Sequence, residues 1–165
     1  MKNSINRALD FLATKVEESI DDTYALALTC YVLHLAKHPH RDTVFYQLEG
    51  KAEVNGNQKW WEIGKWEKTA ETSTFSRPID VETTSYVLQT YALRSLAKDA
   101  VPVLSWLAAQ RNQAGGFQST QVRRVYENVF SIVPNFFDSN NSVPSIQFGK
   151  VRYSLLNYKT IPNPK

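Results

Sequence analysis

The sequence has one cysteine, Cys30, in 165 residues, and it lacks any long hydrophobic run. A single thiol excludes an intrachain disulfide and leaves the redox compartment undecided. No stretch of about 18 apolar residues occurs, which excludes a membrane-spanning helix. Residues 1–7 contain no apolar run of signal-peptide length, so the chain as written is expected to carry no signal peptide and to be neither exported nor membrane-spanning.

An excess of charge of one sign is also missing from most of the chain. The formal net charge is +3, but residues 122–165 hold six Lys or Arg against Glu127 and Asp138. The first 121 residues therefore carry 13 basic and 14 acidic groups. A nucleic-acid-binding protein needs a concentrated basic face, and this near-neutral body argues against one. The 42% hydrophobic content is enough for a sizeable core in one domain.

Helical periodicity dominates the start of the chain. Residues 4–18 predict an amphipathic outer helix, and Asp21 or Asp22 predicts the N-cap of a more apolar inner helix that ends before Pro39. The short link between them indicates an antiparallel hairpin. The predicted core-facing positions are Ile5, Leu9, Leu12 and Val16 on the first helix and Tyr24, Ala25, Leu28, Val32 and Leu35 on the second.

A third helix and a second hairpin are predicted next. The third helix is expected to be capped by Asp42 and to end in the turn residues 55–57. Residues 58–78 lack a helical period and predict an extended or hairpin insertion, after which helical spacing resumes at Asp80. The predicted core positions are Val44, Phe45, Leu48 and Ala52, then Val81, Ser85, Leu88, Ala92 and Leu96, and finally Leu104, Leu107 and Ala108.

The last helical stretch leads to a change of composition. Asp99 is predicted to cap a fifth helix with Pro102 in its first turn, and Gly115–Gly116 to stop that helix. The first 121 residues contain 13 alanines and the last 44 contain none. Residues 1–121 are therefore predicted to be an all-α domain, and residues 122–165 an irregular tail in which 146–156 form at most a strand or two.

Alternating inner and outer helices with a Gln…Gly-Gly-aromatic turn resemble the α/α toroid of thioester domains in the α2-macroglobulin and complement superfamily. Terpenoid cyclases and prenyltransferase β subunits are more distantly similar. Residues 106–112 and 115–121 resemble the superfamily's WL-x-x-QRN-x-x-GGF-x-STQ signature, and 80–88 and 22–27 resemble two upstream blocks. The resemblance covers roughly residues 5–121, with insect-type thioester-containing proteins or CD109-like members as the nearest type.

The resemblance implies a partial α/α toroid from the C-terminal part of a thioester domain. The implied parent is a secreted endopeptidase inhibitor or complement-like innate-immune factor. Its thioester forms inside a Gly-Cys-Gly-Glu-Gln run, and no such run occurs here. We therefore expect no thioester chemistry, enzyme activity, cofactor or metal in this chain. The expected partners are the rest of the parent chain, proteases or target surfaces through the parent, and further copies through exposed helix faces. Neither a nucleic-acid partner nor a membrane span is expected.

Two sets of reactive side chains have structural explanations. Cys30 has no neighbouring glycine or cation and is predicted to be a buried structural thiol. His34 and His38 lie four residues apart, a spacing that can share a metal, with His40 close behind. No third ligand is evident and Pro39 ends the helix, so we predict a histidine cluster favoured by the negative end of the helix dipole.

The remaining candidate sites also have structural explanations. The pairs 17–18 and 21–22 are predicted to be helix caps and solvated charges rather than acid/base groups. Gly115–Gly116 lacks the Gly-Lys-Ser/Thr of a phosphate-binding loop. The tryptophans within 60–66 are predicted to pack the insertion against outer helices, with a binding surface as the alternative. The sequon at 140–142 matters only for an exported tail.

The function expected is that of a fragment or short isoform that helps to frame a thioester domain. One alternative is a standalone helical interaction module that binds through exposed helix faces or the tryptophan insertion. A cyclase or prenyltransferase fragment is a weaker alternative, because neither an acidic cavity run nor an Asp, Cys and His zinc set is identifiable.

The junction after Gln121 yields a testable prediction. Family members continue with Asp-Thr and another helix, whereas this chain continues with Val122 and Arg123. Val-Arg can be encoded by GTA-AGA or GTA-AGG, which is the consensus start of an intron. We therefore expect transcript reads to join Gln121 to a continuing helix, and a majority of reads ending in the present tail would contradict intron read-through.

Overall fold

The computed structural model describes residues 2–18, 21–64, 76–110, 146–148, 151–153 and 160–161. The described chain is mostly helical, which confirms the all-α prediction, and its strands are short. The elements are α1 Lys2–Glu18, α2 Thr23–Leu35, α3 Arg41–Glu49, β1 Glu53–Asn55, β2 Gln58–Trp60, α4 Pro78–Leu93, α5 Ala97–Ala109, β3 Ile146–Phe148, β4 Val151–Tyr153 and β5 Thr160–Ile161. Strands β1 and β2 form an antiparallel hairpin, and β3, β4 and β5 form an antiparallel sheet in that order.

Helices α2 and α4 pack side by side and run in the same direction. Near their starts Tyr24 contacts Glu82, and near their ends His34 contacts Arg94, so the contacts advance together along both helices. Helices α1 and α3 pack on α2, whereas α5 packs on α4 and on β2. This arrangement gives two inner helices flanked by outer helices, and the partial α/α toroid remains a prediction.

The two inner helices end in the same way. Asp22 caps α2 by accepting a hydrogen bond from the backbone N–H of Ala25 at 3.1 Å, which confirms the predicted cap. At the other end, Lys37 and Ser95 follow α2 and α4 with φ values of 54° and 58°. The next residue in each case, His38 or Leu96, donates back to the helix carbonyl five residues earlier. This Schellman geometry turns the chain sharply into the following outer helix.

Helix α4 is internal although many of its residues are polar. Its hydroxyl groups donate back to carbonyls one turn earlier, at 2.7 Å from Thr83, 2.7 Å from Ser85 and 3.1 Å from Thr90. Buried hydroxyls without a partner would each cost about 1–3 kcal/mol. Because the helix itself satisfies them, α4 can be surrounded by other elements on nearly every side.

The segment after β2 is fastened to α4. The Trp61 side chain is fully buried, its indole N–H donates to the carbonyl of Leu48 at 2.7 Å, and its backbone N–H donates to the Thr84 hydroxyl at 3.1 Å. Asp80 accepts from the backbone N–H of Ile63 at 3.0 Å and from the guanidinium of Arg77 at 2.8 Å. Trp61 therefore joins α3, the extended segment and α4 in one core.

The tryptophan insertion packs as predicted where it is described. The ring of Trp60 stacks on that of Trp106 in α5, with centroids 5.8 Å apart and planes 6° apart. Trp66 lies outside the described residues. The hairpin begins at Glu53, however, before the predicted start at residue 58, because Asn55-Gly56-Asn57 forms its turn and Gly56 adopts a φ of 58°.

Several predicted helix ends were wrong. Helix α3 ends at Glu49, and Asp42 lies inside its first turn without capping it. Helix α5 begins at Ala97, so Asp99 lies in the first turn rather than at the cap. Pro102 is therefore inside α5 and removes one intrahelical hydrogen bond. Carboxylates favour both the cap and the first turn, which is why sequence alone misplaced these boundaries.

The side of α2 that was predicted to face the core was wrong. Leu35 is 60% exposed, and the other predicted positions on that side are only half-buried. The buried face instead carries Leu26, Ala27, Cys30, Leu33 and His34. Because α2 is apolar around its circumference, spacing identified an apolar stripe but did not show which side faced the core. Predicted core positions that are buried include Leu9, Val16, Val44, Phe45, Leu48, Val81, Ser85, Leu88, Leu104 and Leu107.

Replacement of Trp61 tests how much its contacts contribute to the free energy of unfolding. We expect Trp61→Ala to lower the free energy of unfolding by about 3–5 kcal/mol. Trp61→Phe keeps most of the volume but leaves the Leu48 carbonyl without its indole donor, which costs about 1–3 kcal/mol. Urea unfolding followed by circular dichroism measures both changes.

The matched control is Trp60→Phe, in a residue that is only half-buried. It weakens one ring stack and should cost about 0.5–1.5 kcal/mol. Equal losses for Trp60→Phe and Trp61→Ala would contradict the central role of Trp61.

Candidate functional site

A buried histidine links the two inner helices. The His34 ring is 7% exposed, and its Nδ1 lies 2.8 Å from the carbonyl oxygen of Cys30. A carbonyl only accepts, so Nδ1 carries the proton and donates. The other ring nitrogen, Nε2, must then accept from the Arg94 guanidinium at 2.8 Å. Burial lowers the pKa of His34, and the nearby Arg94 cation lowers it further.

Arg94 extends this contact to α3. Its guanidinium donates to the carboxylate of Asp42 and lies over the Phe45 ring, 4.1 Å from the centroid. The hydrogen bond from Arg94 holds the pKa of Asp42 below its ordinary value. One arginine thus connects α2, α3 and the end of α4. We call His34, Asp42 and Arg94 the interhelix latch.

The prediction that Cys30 is a buried thiol is confirmed. Its side chain has no exposed surface, and burial raises its pKa to about 12. Its Sγ lies 3.7 Å from Nδ1 of His34, but that nitrogen already donates to the Cys30 carbonyl. It is therefore not available to take a proton from the thiol, and a nucleophilic thiolate is strongly disfavoured here.

The other two histidines lie outside the latch. The Nε2 atom of His38 is 3.0 Å from a carboxylate oxygen of Asp10, and the His38 and His40 rings lie 5.3 Å apart. His34 and His38 therefore contact different partners instead of converging. Within the described parts of the chain, no group of three His, Cys, Asp or Glu side chains can hold a metal ion.

A second polar cluster lies beneath the hairpin. Lys59 donates to Glu49 at 2.7 Å and to the Tyr91 hydroxyl at 2.9 Å, and that hydroxyl donates to Glu49 at 2.6 Å. Burial and the Glu49 carboxylate raise the pKa of Tyr91. The three groups satisfy one another and tie β2 to α3 and α4. Sequence reasoning missed this cluster because its members lie on three elements and share no local spacing.

The sides of α2 and α4 opposite their fully buried residues carry mostly apolar side chains that are half-buried or exposed. These side chains continue across the helix pair through Tyr86, whose ring centroid lies 6.3 Å from that of Tyr24 and 5.9 Å from that of Tyr31. We call this surface the open inner face. Its members are Tyr24, Ala25, Leu28, Tyr31, Val32 and Leu35 on α2 and Ile79, Glu82, Tyr86 and Leu93 on α4.

Glu82 is the charged member of this face, and tyrosine hydroxyls surround it. The Tyr24 hydroxyl donates to Glu82 at 3.0 Å. Burial and Glu82 raise the pKa of Tyr24 to about 12, and the same two causes raise the pKa of Tyr86. Beside this face a groove of about 210 Å³ separates α1 from α2, with Leu12, Val16 and Ala25 in its lining. The apolar surface therefore extends towards the first helix.

The remaining predicted sites are only partly described. Asp22 is a helix cap and Asp21 is exposed, as expected for a helix junction. The side chains of 17–18, the turn at 115–116 and the sequon at 140–142 lie outside the described residues. No described helix has both the length and the apolar character needed to cross a membrane.

Known proteins resemble the helical part of the chain. The family model of the A-macroglobulin TED domain matches residues 1–123. Complement C3 of Lethenteron camtschaticum is 38% identical over 125 residues, which are 73% of this chain and 7% of that protein. Venom factor 2 of Austrelaps superbus is 31% identical over 121 residues, which are 73% of this chain and 6% of that protein. Thioester-containing protein 1 of Anopheles gambiae is 26% identical over 119 residues, which are 71% of this chain and 8% of that protein. The chain thus spans less than a tenth of the length of these relatives.

Thiol labelling tests whether Cys30 is unreactive in the folded chain. At pH 8 the raised pKa and the burial keep Cys30 protonated and covered, so we expect no reaction of the folded chain with a thiol-specific reagent. Unfolding in guanidinium should release one reactive thiol per chain. Rapid labelling under native conditions would show that Cys30 is accessible and would contradict a purely structural role.

Proposed function

Because the chain belongs to the A-macroglobulin TED domain family, we propose that it is a fragment or short isoform of a macroglobulin-type thioester-containing protein. In the parent, residues 1–121 help to frame the thioester domain through packing and surface. The parent acts in endopeptidase inhibition or complement-like defence outside the cell. Residues 122–165 lie beyond this part, where the composition of the sequence changes.

The open inner face carries this proposal. Helices of a closed ring or solenoid bury their sides against neighbours, and a partial ring leaves some of those sides uncovered. In this chain Leu35 is 60% exposed and Leu93 is 46% exposed, although both lie on inner helices. Exposed apolar side chains on inner helices, next to the α1 groove, fit a surface that further helices of the same domain would cover.

The chemistry of the chain supports a role without catalysis. The sequence has no Gly-Cys-Gly-Glu-Gln run, and its cysteine is buried and protonated. His34 bonds to a carbonyl and an arginine, and His38 bonds to a carboxylate. We therefore propose that the chain makes structural contacts with the rest of a parent chain. Contacts with proteases or target surfaces are made through that parent.

A standalone interaction module is the second candidate, and the polar groups of the open inner face favour it. Tyr24 satisfies the Glu82 carboxylate within the chain, so the face has a stable arrangement when water covers it. Such a module would bind a partner of apolar character, including the full-length parent. Detection of the tail peptide 151–159 by mass spectrometry in native material would favour this candidate over an incomplete parent chain.

Self-association of the isolated chain tests the uncovered face. We expect sedimentation velocity to show concentration-dependent oligomers, because two apolar faces bury each other in the absence of their usual cover. Leu35→Lys places a charge on that face and should weaken association about tenfold or more, since burial of one leucine contributes about 1.5–3 kcal/mol.

The matched control is Val54→Lys on the hairpin. Val54 is 66% exposed, as open as Leu35, but it lies away from the open inner face. It should leave association unchanged. A monomer with a cooperative unfolding transition independent of concentration would count against an uncovered ring surface, without altering the family membership.

A further inference from the structure

The interhelix latch depends on one unprotonated nitrogen. The Nδ1–H of His34 is used by the Cys30 carbonyl, so only the Nε2 lone pair can accept from Arg94. Arg94 always carries its proton and has only donors. A proton on Nε2 would therefore replace a hydrogen bond by the contact of two donors that both carry positive charge.

The charges around His34 make a protonated ring still less favourable. From its own helix it faces the neutral thiol of Cys30, from α3 it faces Arg41 and Asp42, and from α4 it faces Arg94. The Asp42 carboxylate already accepts from Arg94 and lies 3.7 Å from Arg41. With two arginines near one shared carboxylate, no remaining group in this set can neutralise a protonated His34.

We propose that the interhelix latch is an acid-responsive attachment in which protonation of His34 at Nε2 displaces Arg94 and loosens α3 and the end of α4 from α2. One proton from solvent is taken up, and the Nδ1–H bond to the Cys30 carbonyl is retained. Arg94 then keeps only Asp42 and the Phe45 ring, so the link from α3 to α2 through this arginine is lost.

The direction of the pH dependence follows from linkage. Burial and Arg94 hold the folded pKa of His34 below its ordinary value of 6.5, whereas the unfolded chain takes up the proton near 6.5. The unfolded state therefore binds more protons between these two values, and stability rises with pH across that window. The stability contributed by neutral His34 is complete above about pH 6.5 and is lost as pH falls towards the folded pKa, with no further loss below it. The latch itself opens as pH passes through the folded pKa. Asp42 stays ionised there because its own pKa is lowered.

Nitrogen-15 NMR of the full chain tests the state of His34 directly. We expect the ring to show a protonated Nδ1 and a bare Nε2 at pH 7.5, and to titrate below the ordinary histidine pKa of 6.5. Arg94→Gln removes the competing cation and should move the His34 midpoint upwards. An Nε2–H tautomer, or a midpoint that Arg94→Gln leaves unchanged, would overturn the latch.

Hydrogen exchange tests the consequence for α3. Between pH 7.5 and 5 we expect protection of amides in 41–49, corrected for intrinsic exchange and compared with those in 97–109, to fall several-fold. His34→Gln cannot take up the proton and should abolish this change even if it lowers overall stability. The control His40→Gln should retain it. An equal loss of protection in both variants would show that a different group titrates.

Discussion

The parallel contact between α2 and α4 is the constraint on which the other packing depends. Each inner helix brings buried polar groups to that contact, and those groups are costly unless they are paired. Arg94 pairs with His34 and Asp42, while the hydroxyls of α4 donate back to their own helix. The alignment of α2 and α4 is therefore fixed by specific hydrogen bonds in addition to apolar burial.

The hairpin depends on the same pair of helices. Trp61 can enter the core because Thr84 and the Leu48 carbonyl satisfy its two N–H groups. The half-buried ammonium group of Lys59 is satisfied because Glu49 and the Tyr91 hydroxyl both accept from it, while that hydroxyl donates to Glu49. An insertion that looks irregular in the sequence thus becomes a third layer, in contact with α3, α4 and α5.

The chain belongs to the TED domain family, and its described side chains are engaged in packing and hydrogen bonds. The reactive run of the family is missing from the sequence, and the chain's thiol lies in the core. What remains distinctive is a pair of inner helices whose outward sides are apolar. The same pair holds, on its buried side, a histidine whose bonds require it to be neutral. Both pH and the packing of neighbouring helices therefore act on α2 and α4.

The sequence by itself determined the helices, the absence of a thioester and the family, because each rests on local spacing or on motifs that are present or missing. It also identified Cys30 as buried and Asp21 or Asp22 as a cap, since both depend on neighbours in the chain, and the structure selects Asp22. Tertiary structure alone decided which side of α2 is covered and which partners His34, Lys59 and Arg94 meet. Helix α2 is apolar all round, so periodicity could not orient it, and the polar partners come from helices tens of residues apart. The core-facing side of α2 was set by which of its residues could pair with α4, and no local sequence pattern contains that information.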